Sequence, residues 1–158
     1  MPFFIFSLVA VLIAVLDQIT KLLVVHNIPL YGSADGISGI FHLTYVQNTG
    51  AAWSSFQGMR WLFVALFVVV TAAVIYEYFK KPMPFTHFER WCIVAIYGGG
   101  LGNVIDRVRL GYVVDMIRVD FMDFPVFNVA DCFITCGCIA LMAHLFFWNK
   151  AFWKDEKK

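Results

Sequence analysis

Along the chain, long uncharged apolar windows alternate with short polar stretches, and the windows cover 1–16, 61–76, 91–105 and 132–149. Each falls a little short of the ~20 residues needed to cross a hydrocarbon core, so each has to borrow a turn from its polar flank. The pattern then predicts helices over 3–25, 60–79, 89–107 and 126–148, with two longer polar segments, 27–59 and 108–125, emerging on one side. Both segments carry strand-like alternation. Phe41, Leu43 and Tyr45 alternate with His42 and Thr44, Gln47 follows, and Asn48-Thr49-Gly50 reads as a turn before a possible return strand over 51–56. In the second segment Val113, Asp115, Ile117, Val119 and Phe121 would share one strand face, with Asp115 as the polar exception. It is either a loop carboxylate pointing to water or a carboxyl set against apolar neighbours.

The expected fold class is an all-α membrane protein: four transmembrane helices with a small extracytoplasmic β-sheet cradle, in a single domain over 1–158. Trp53, Phe56 and Trp61 are placed where aromatic rings favour the membrane interface. The connection holding Lys80, Lys81, His87 and Arg90 is basic, as is the end of the chain with Lys150, Lys154, Lys157 and Lys158. By the positive-inside rule both termini are expected in the cytoplasm. Arg60, Arg107, Arg109 and Arg118 run against that orientation, and pairing with the nearby Asp106, Asp115, Asp120 and Asp123 is expected to account for them. The apolar N-terminus lacks the basic start and small-residue cleavage signal of a secretory leader and carries Asp17 and Lys21, so it reads as a retained span.

Composition agrees with a lipid setting: 61% of the 158 residues are apolar, and the mean hydropathy is +0.75. A formal net charge of +1 offers no field for nucleic acid, which is excluded as a partner. Cys92, Cys132, Cys136 and Cys138 have no CxxC spacing and no neighbouring histidine pair, so neither a disulfide framework nor a metal is expected, and no cofactor. His26, His42, His87 and His144 are scattered and read as unpartnered. The run Gly98-Gly99-Gly100-Leu101-Gly102-Asn103 superficially resembles a phosphate loop but lacks the strand-to-helix unit around it. Gly98 and Gly102 instead have the spacing that lets a neighbouring helix come close.

The chemistry then rests on the ionisable and amide groups at the outer helix ends, each costly in a span. Asp17 and Lys21 lie one turn apart and can pair on one face, as a structural tie or as part of a site. Asn103 and Arg107 are likewise one turn apart, a donor pair able to orient carboxylates or grip a backbone carbonyl. After Phe124-Pro125, Asn128 and Asp131 are expected to share a face in the opening turns of the last helix, where the helix dipole favours an ionised Asp131. Asp115, on a more apolar surface, would tend to keep its proton. Two carboxyls held apart in proton affinity are what amide hydrolysis by an aspartic protease requires, though the residues leave the opposite protonation order open. A transporter would spread polar groups through the whole depth of the bundle, whereas Glu77 is the main polar feature at the inner end.

Five stretches in order, Asp17-Gln18-Ile19-Thr20-Lys21, Asn48-Thr49-Gly50-Ala51-Ala52-Trp53-Ser54, Gly98 through Asn103 with Ile105-Asp106-Arg107, Gly111-Tyr112-Val113-Val114-Asp115, and Phe124-Pro125-Val126-Phe127-Asn128-Val129-Ala130-Asp131, resemble those of bacterial lipoprotein signal peptidase, the type II signal peptidase family. The resemblance implies an aspartic endopeptidase of the bacterial inner or plasma membrane, its site toward the extracytoplasmic face. Its substrates would be prolipoproteins bearing a diacylglyceryl-cysteine, cut just before that residue. It further implies Asp115 and Asp131 as the catalytic dyad, with Asp17, Lys21, Asn48, Gly50, Asn103, Arg107 and Asn128 supporting the site or binding substrate. Membrane lipids are the remaining expected partners, and the protein is expected to act as a monomer.

Overall fold

The computed structural model describes residues 3–51, 55–80 and 83–153. It contains four helices, α1 (Phe3–Asn27), α2 (Arg60–Phe79), α3 (His87–Arg109) and α4 (Val129–Phe147), and three strands, β1 (Ser33–Ile37), β2 (Phe41–Asn48) and β3 (Val113–Val119). Three of the helices, α1, α2 and α4, are long and apolar enough to cross a membrane. The fourth, α3, is as long but carries the glycine run and five charged residues, Glu89, Arg90, Asp106, Arg107 and Arg109.

α3 is the helix against which the others pack, and its glycines explain how. Successive helical residues are turned by about 100°, so neighbouring glycines look at different partners. A Cβ on Gly98 would lie 2.9 Å from the Ala10 carbonyl oxygen and from Ile13 of α1. One on Gly99 would lie 2.5 Å from the Ala130 carbonyl oxygen of α4, and one on Gly100 would lie 3.0 Å from the Phe67 ring of α2. Gly102 returns to α1, where a Cβ would lie 2.5 Å from Asp17 Oδ2. The close approach expected from the spacing of Gly98 and Gly102 is therefore made by α1.

The strands form one antiparallel sheet in the order β1-β2-β3. Of the possible return strand over 51–56, residues 52–54, including Trp53, lie outside the described residues, and Ser55 onward forms a turn. β2 pairs with β3, Phe41 opposite Val119 and Asn48 opposite Val113, and with β1, which the alternation did not signal. The β2–β3 register shifts between Leu43 and Val46, which sets Asp115 opposite Val46. β3 stops at Val119, so Phe121 falls beyond it. Because side chains alternate along a strand, Val114 and Met116 face a core with Val24, Ile28 and Tyr45 while Asp115 faces the other way.

The starts of α3 and α4 are fixed by capping boxes. At α3, Thr86 Oγ1 accepts from the Glu89 N–H at 3.3 Å and the Thr86 N–H donates to Glu89 Oε2 at 2.6 Å. At α4 the expected start at 126 moves to Val129. Phe127 exchanges backbone hydrogen bonds with Ile117, at 3.1 and 2.8 Å, so the chain is extended there and Asn128 becomes the N-cap. Asn128 and Asp131 are thus cap and N3 residue, reaching toward each other's backbone, rather than two residues on one helical face.

Two further expectations are corrected. The histidines are not all unpartnered: His42 Nδ1 lies 2.6 Å from Asp120 Oδ1, and His144 Nδ1 lies 2.8 Å from Oε1 of the fully buried Glu89. Nor do the outer arginines pair with the nearby aspartates. Among the described residues no ion pair joins them. Arg107 stacks over Phe63 and Arg60 over Trp61, and Asp106 is taken up by Lys21. Lys81, Lys154, Lys157 and Lys158, used for orientation, lie outside the described residues.

Candidate active site

Every candidate residue read from the sequence belongs to one hydrogen-bonded assembly where α1, α3, the start of α4 and the ends of β2 and β3 meet. Its foundation is a buried charge cluster. Lys21 Nζ lies 2.8 Å from Asp17 Oδ2 and 3.0 Å from Asp106 Oδ2, all three side chains at most 3% exposed. The other oxygen of Asp17 accepts the Ala130 N–H at 3.0 Å, which ties α1 to the first turn of α4. Asp106 accepts the Val114 N–H at 3.1 Å and the Gln18 side-chain amide at 2.8 Å, which ties α3 to β3 and α1. Lys21 also donates to Asn103 Oδ1 at 2.9 Å.

From there the network passes through amides to two carboxyls. Asn103 Nδ2 donates to Asp131 Oδ1 at 2.8 Å, and the Asn128 N–H donates to Asp131 Oδ2 at 3.2 Å. Asn128 Nδ2 donates to Asp115 Oδ1 at 2.7 Å while its Oδ1 accepts the Asp131 N–H at 2.9 Å. Asn48 Nδ2 donates to Asp115 Oδ2 at 2.9 Å, and Asn48 Oδ1 accepts the Gly50 N–H at 2.9 Å. Arg107 Nη2 holds the Gly50 carbonyl at 2.9 Å, the backbone-gripping role that its spacing from Asn103 suggested. Gly50 itself has no room for a side chain, since a Cβ would collide with the Ser55 carbonyl oxygen.

The two pairs of carboxyls therefore live in different surroundings. Asp17 and Asp106 are matched by an ammonium, whereas among the described residues Asp115 and Asp131 are held by amides and not by an ion pair. Burial pushes the Asp115 carboxyl up to about 6. The amide donors Asn48 and Asn128 and the charge of Lys21 pull it back, and the negative charge of Asp131 adds to the rise. Asp131, in the first turn of α4, sits at the positive end of that helix. Both carboxyls line one cavity of about 460 Å³, with Asn48, Asn103 and Arg107 on its wall and Phe124 and Val126 beside them. A second cavity of about 590 Å³, almost wholly apolar, shares Asn103 and Arg107 with it and runs between α2, α3 and α4. No group of three metal-ligating side chains occurs among the described residues.

A family model described as signal peptidase (SPase) II matches residues 9–147. The chain belongs to the signal peptidase II family. Among its relatives, a lipoprotein signal peptidase of Streptococcus pyogenes serotype M2 is 43% identical, the alignment covering 96% of this chain and 94% of the relative. The enzyme of the same name from serotype M1 is 42% identical over the same shares. Two solved structures of a bacterial membrane enzyme, obtained by the in meso method at 2.3 and 1.9 Å resolution, superpose with TM-scores of 0.84 and 0.81. Each is 31% identical to this chain; the first match covers 99% of this chain and 94% of its counterpart, the second 93% and 96%.

In this signal peptidase II chain, two contributors to the assembly escaped the reading of the sequence, Asp106 and Gln18. Asp106 reads as one of the aspartates that would pair locally with the outer arginines, since Arg107 and Arg109 follow it closely. The signal available was helical: Asp106 lies four residues after Gly102, on the stripe that faces α1, and Gln18 follows Asp17.

Proposed function

We propose that the chain is an aspartic endopeptidase that removes the signal peptide from diacylglyceryl-modified prolipoproteins, cutting immediately before the lipidated cysteine, with Asp115 and Asp131 as its catalytic pair. In this reading all four helices span the bacterial inner or plasma membrane as one monomeric bundle. Both termini are cytoplasmic, and the sheet and site lie on the extracytoplasmic side. α3 crosses despite its polar residues because the other helices shield them. The observation that carries the proposal is the pair of carboxyls on one cavity, held among the described residues by amides, beside an apolar groove.

The chemistry follows from that pair. Ionised Asp131 takes a proton from a water molecule as its oxygen adds to the scissile carbonyl carbon, and protonated Asp115 passes its proton to the carbonyl oxygen. When the tetrahedral intermediate collapses, the C–N bond breaks, the nitrogen of the lipidated cysteine receives the proton held by Asp131, and Asp115 recovers its own. Asn103, Asn128 and Asn48 keep the carboxyls aimed through the cycle, and the buried Asp17–Lys21–Asp106 cluster keeps the three helices in register beneath them. A substrate with two acyl chains stays in the bilayer, since each buried methylene adds about 0.8 kcal/mol to retention. A site at the end of the bundle, open to an apolar groove, meets it there.

The test is cleavage by purified protein in liposomes of a diacylglyceryl-modified prolipoprotein and its unmodified form. Only the modified form should be processed, and Asp115→Asn and Asp131→Asn should each abolish processing while melting like the parent. Appreciable turnover by either variant would remove the dyad, and equal cleavage of the two substrates would remove the lipid requirement.

A further inference from the structure

The second cavity carries a charge pattern that the catalytic assignment does not use. Between its two ends its lining is uncharged and almost wholly apolar, with Tyr97 bringing a hydroxyl that accepts from Thr71 Oγ1 at 3.3 Å. Arg107 and Asn103 stand at the end that opens on the carboxyl pair, and Glu77 stands at the other. Glu77 is also the only buried residue of α2, whose remaining side chains are half-buried or exposed. A carboxylate at the end of an otherwise apolar channel is costly unless something meets it. Part of its demand is met locally: Glu77 Oε1 accepts the Met83 N–H at 3.1 Å and lies 3.4 Å from Arg90 Nη2. Among the described residues both contacts fall on the same oxygen, and the Arg90 contact is long for a charge-assisted hydrogen bond. An ionised carboxylate offers about four acceptor sites on its two oxygens.

The dimensions fit one class of occupant. Along α2 the cavity runs from Phe63 to Glu77, a rise of about 21 Å at 1.5 Å per residue. The apolar stretch of a signal peptide has roughly 7 to 15 residues, or about 10 to 22 Å as a helix, and is preceded by a positively charged N-terminal region. A helix laid in the groove with its cleavage site at the carboxyl pair would bring its basic start, and the positive end of its own dipole, to Glu77. A phospholipid acyl chain fills the same volume but brings no cation to that end.

Resting on the proposed peptidase reading, we infer that Glu77 is a specificity residue, the acceptor at the inner end of the groove for the basic N-terminal region of the signal peptide. It touches the substrate at the end of the groove away from the carboxyl pair, so it acts on binding and leaves the reacting atoms alone. Glu77→Gln keeps the side-chain oxygen that accepts from Met83 and removes only the charge.

The experiment uses the full chain in liposomes and two diacylglyceryl-modified substrates that differ only in whether the basic residues of the N-terminal region are kept or replaced by glutamine. The parent should process the basic substrate with a KM lower by about fivefold, the range open to a single partly solvated ion pair, at similar kcat. Glu77→Gln should lose that preference by raising KM for the basic substrate alone, and Glu77→Asp should restore most of it. Equal KM values in the parent, a preference that survives Glu77→Gln, or an equal loss on both substrates would overturn the inference and leave Glu77 as a tie to Arg90 and Met83. Those results leave the peptidase reading standing. Cleavage of neither substrate by the parent would bring down both.

Discussion

Removing the amide that steadies Asp115 from β2 should shift the pH dependence of cleavage in a direction fixed by the geometry. Asn48 Nδ2 donates to Asp115 Oδ2 at 2.9 Å, and this bond favours the charged carboxylate. A hydrogen bond to a charged group contributes about 1.5 to 3 kcal/mol, and one pKa unit corresponds to about 1.36 kcal/mol. Asn48 is half-buried at the cavity wall, so water takes over part of the role once the side chain is gone. In Asn48→Ala the Asp115 carboxyl should therefore rise from about 6 by a further ~0.5 to 1 unit. In the proposed mechanism Asp115 must be protonated, so activity is full below its pKa and is lost as pH rises through it. The descending limb of kcat/KM, which reports the free enzyme, should then move to higher pH by the same amount, with the ascending limb in place. Initial rates on a lipidated substrate, measured in a series of buffers across the neutral range, give both limbs. A descending limb that stays put or moves down would refute the assignment of Asp115 as the acid. A shift confined to the ascending limb would exchange the roles of the two aspartates.

The remaining predictions concern what holds the site. Lys21→Met leaves Asp17 and Asp106 buried without their ammonium, and should cost about 3 to 5 kcal/mol, read as a large drop in melting temperature in detergent; normal melting with lost turnover would mean that Lys21 works on the substrate. Gly99→Val drives a side chain into the Ala130 backbone, next to Asp131, and should destabilise by about 1 to 3 kcal/mol and reduce cleavage. Gly100→Ala, one residue on, meets only the Phe67 ring, which can move, and should be nearly neutral in both assays.

The helices were legible because each is an apolar window, and α2 begins and ends where the pattern placed it. β1 was not legible, because all five residues of Ser33–Ile37 are exposed and the strand is specified by backbone pairing with β2 rather than by a buried face. The start of α4 was displaced for a related reason: Phe127 is engaged by Ile117, a partner ten residues back in another element, and no local preference records that. Among site residues, Asp115 stood out as a carboxyl inside an apolar alternation, and the structure places it on the face away from the Val114 and Met116 core. Asp106 did not, since adjacent arginines offered a simpler local partner than a lysine 85 positions earlier. The pairing of His144 with Glu89 was hidden for the same reason, the two lying on different helices. Interactions within a turn can be read from spacing; those that cross between helices need the packing that the glycines of α3 allow.

The contact between Asp17 and Lys21 also bears on how the chain is built. Membrane proteins are inserted from the N-terminus, and an isolated charge in a span costs on the order of 2.5 to 3.5 kcal/mol on insertion scales. With its acid one turn ahead of its base, α1 brings its own counterion and can enter the bilayer as an almost neutral segment before α3 is made. Asp106, synthesised much later, makes its ion pair not within α3 but with Lys21 of α1, which by then is already in place. The order of synthesis thus turns a static charge cluster into a receptor for α3: α1 carries the socket, and α3 completes it on arrival.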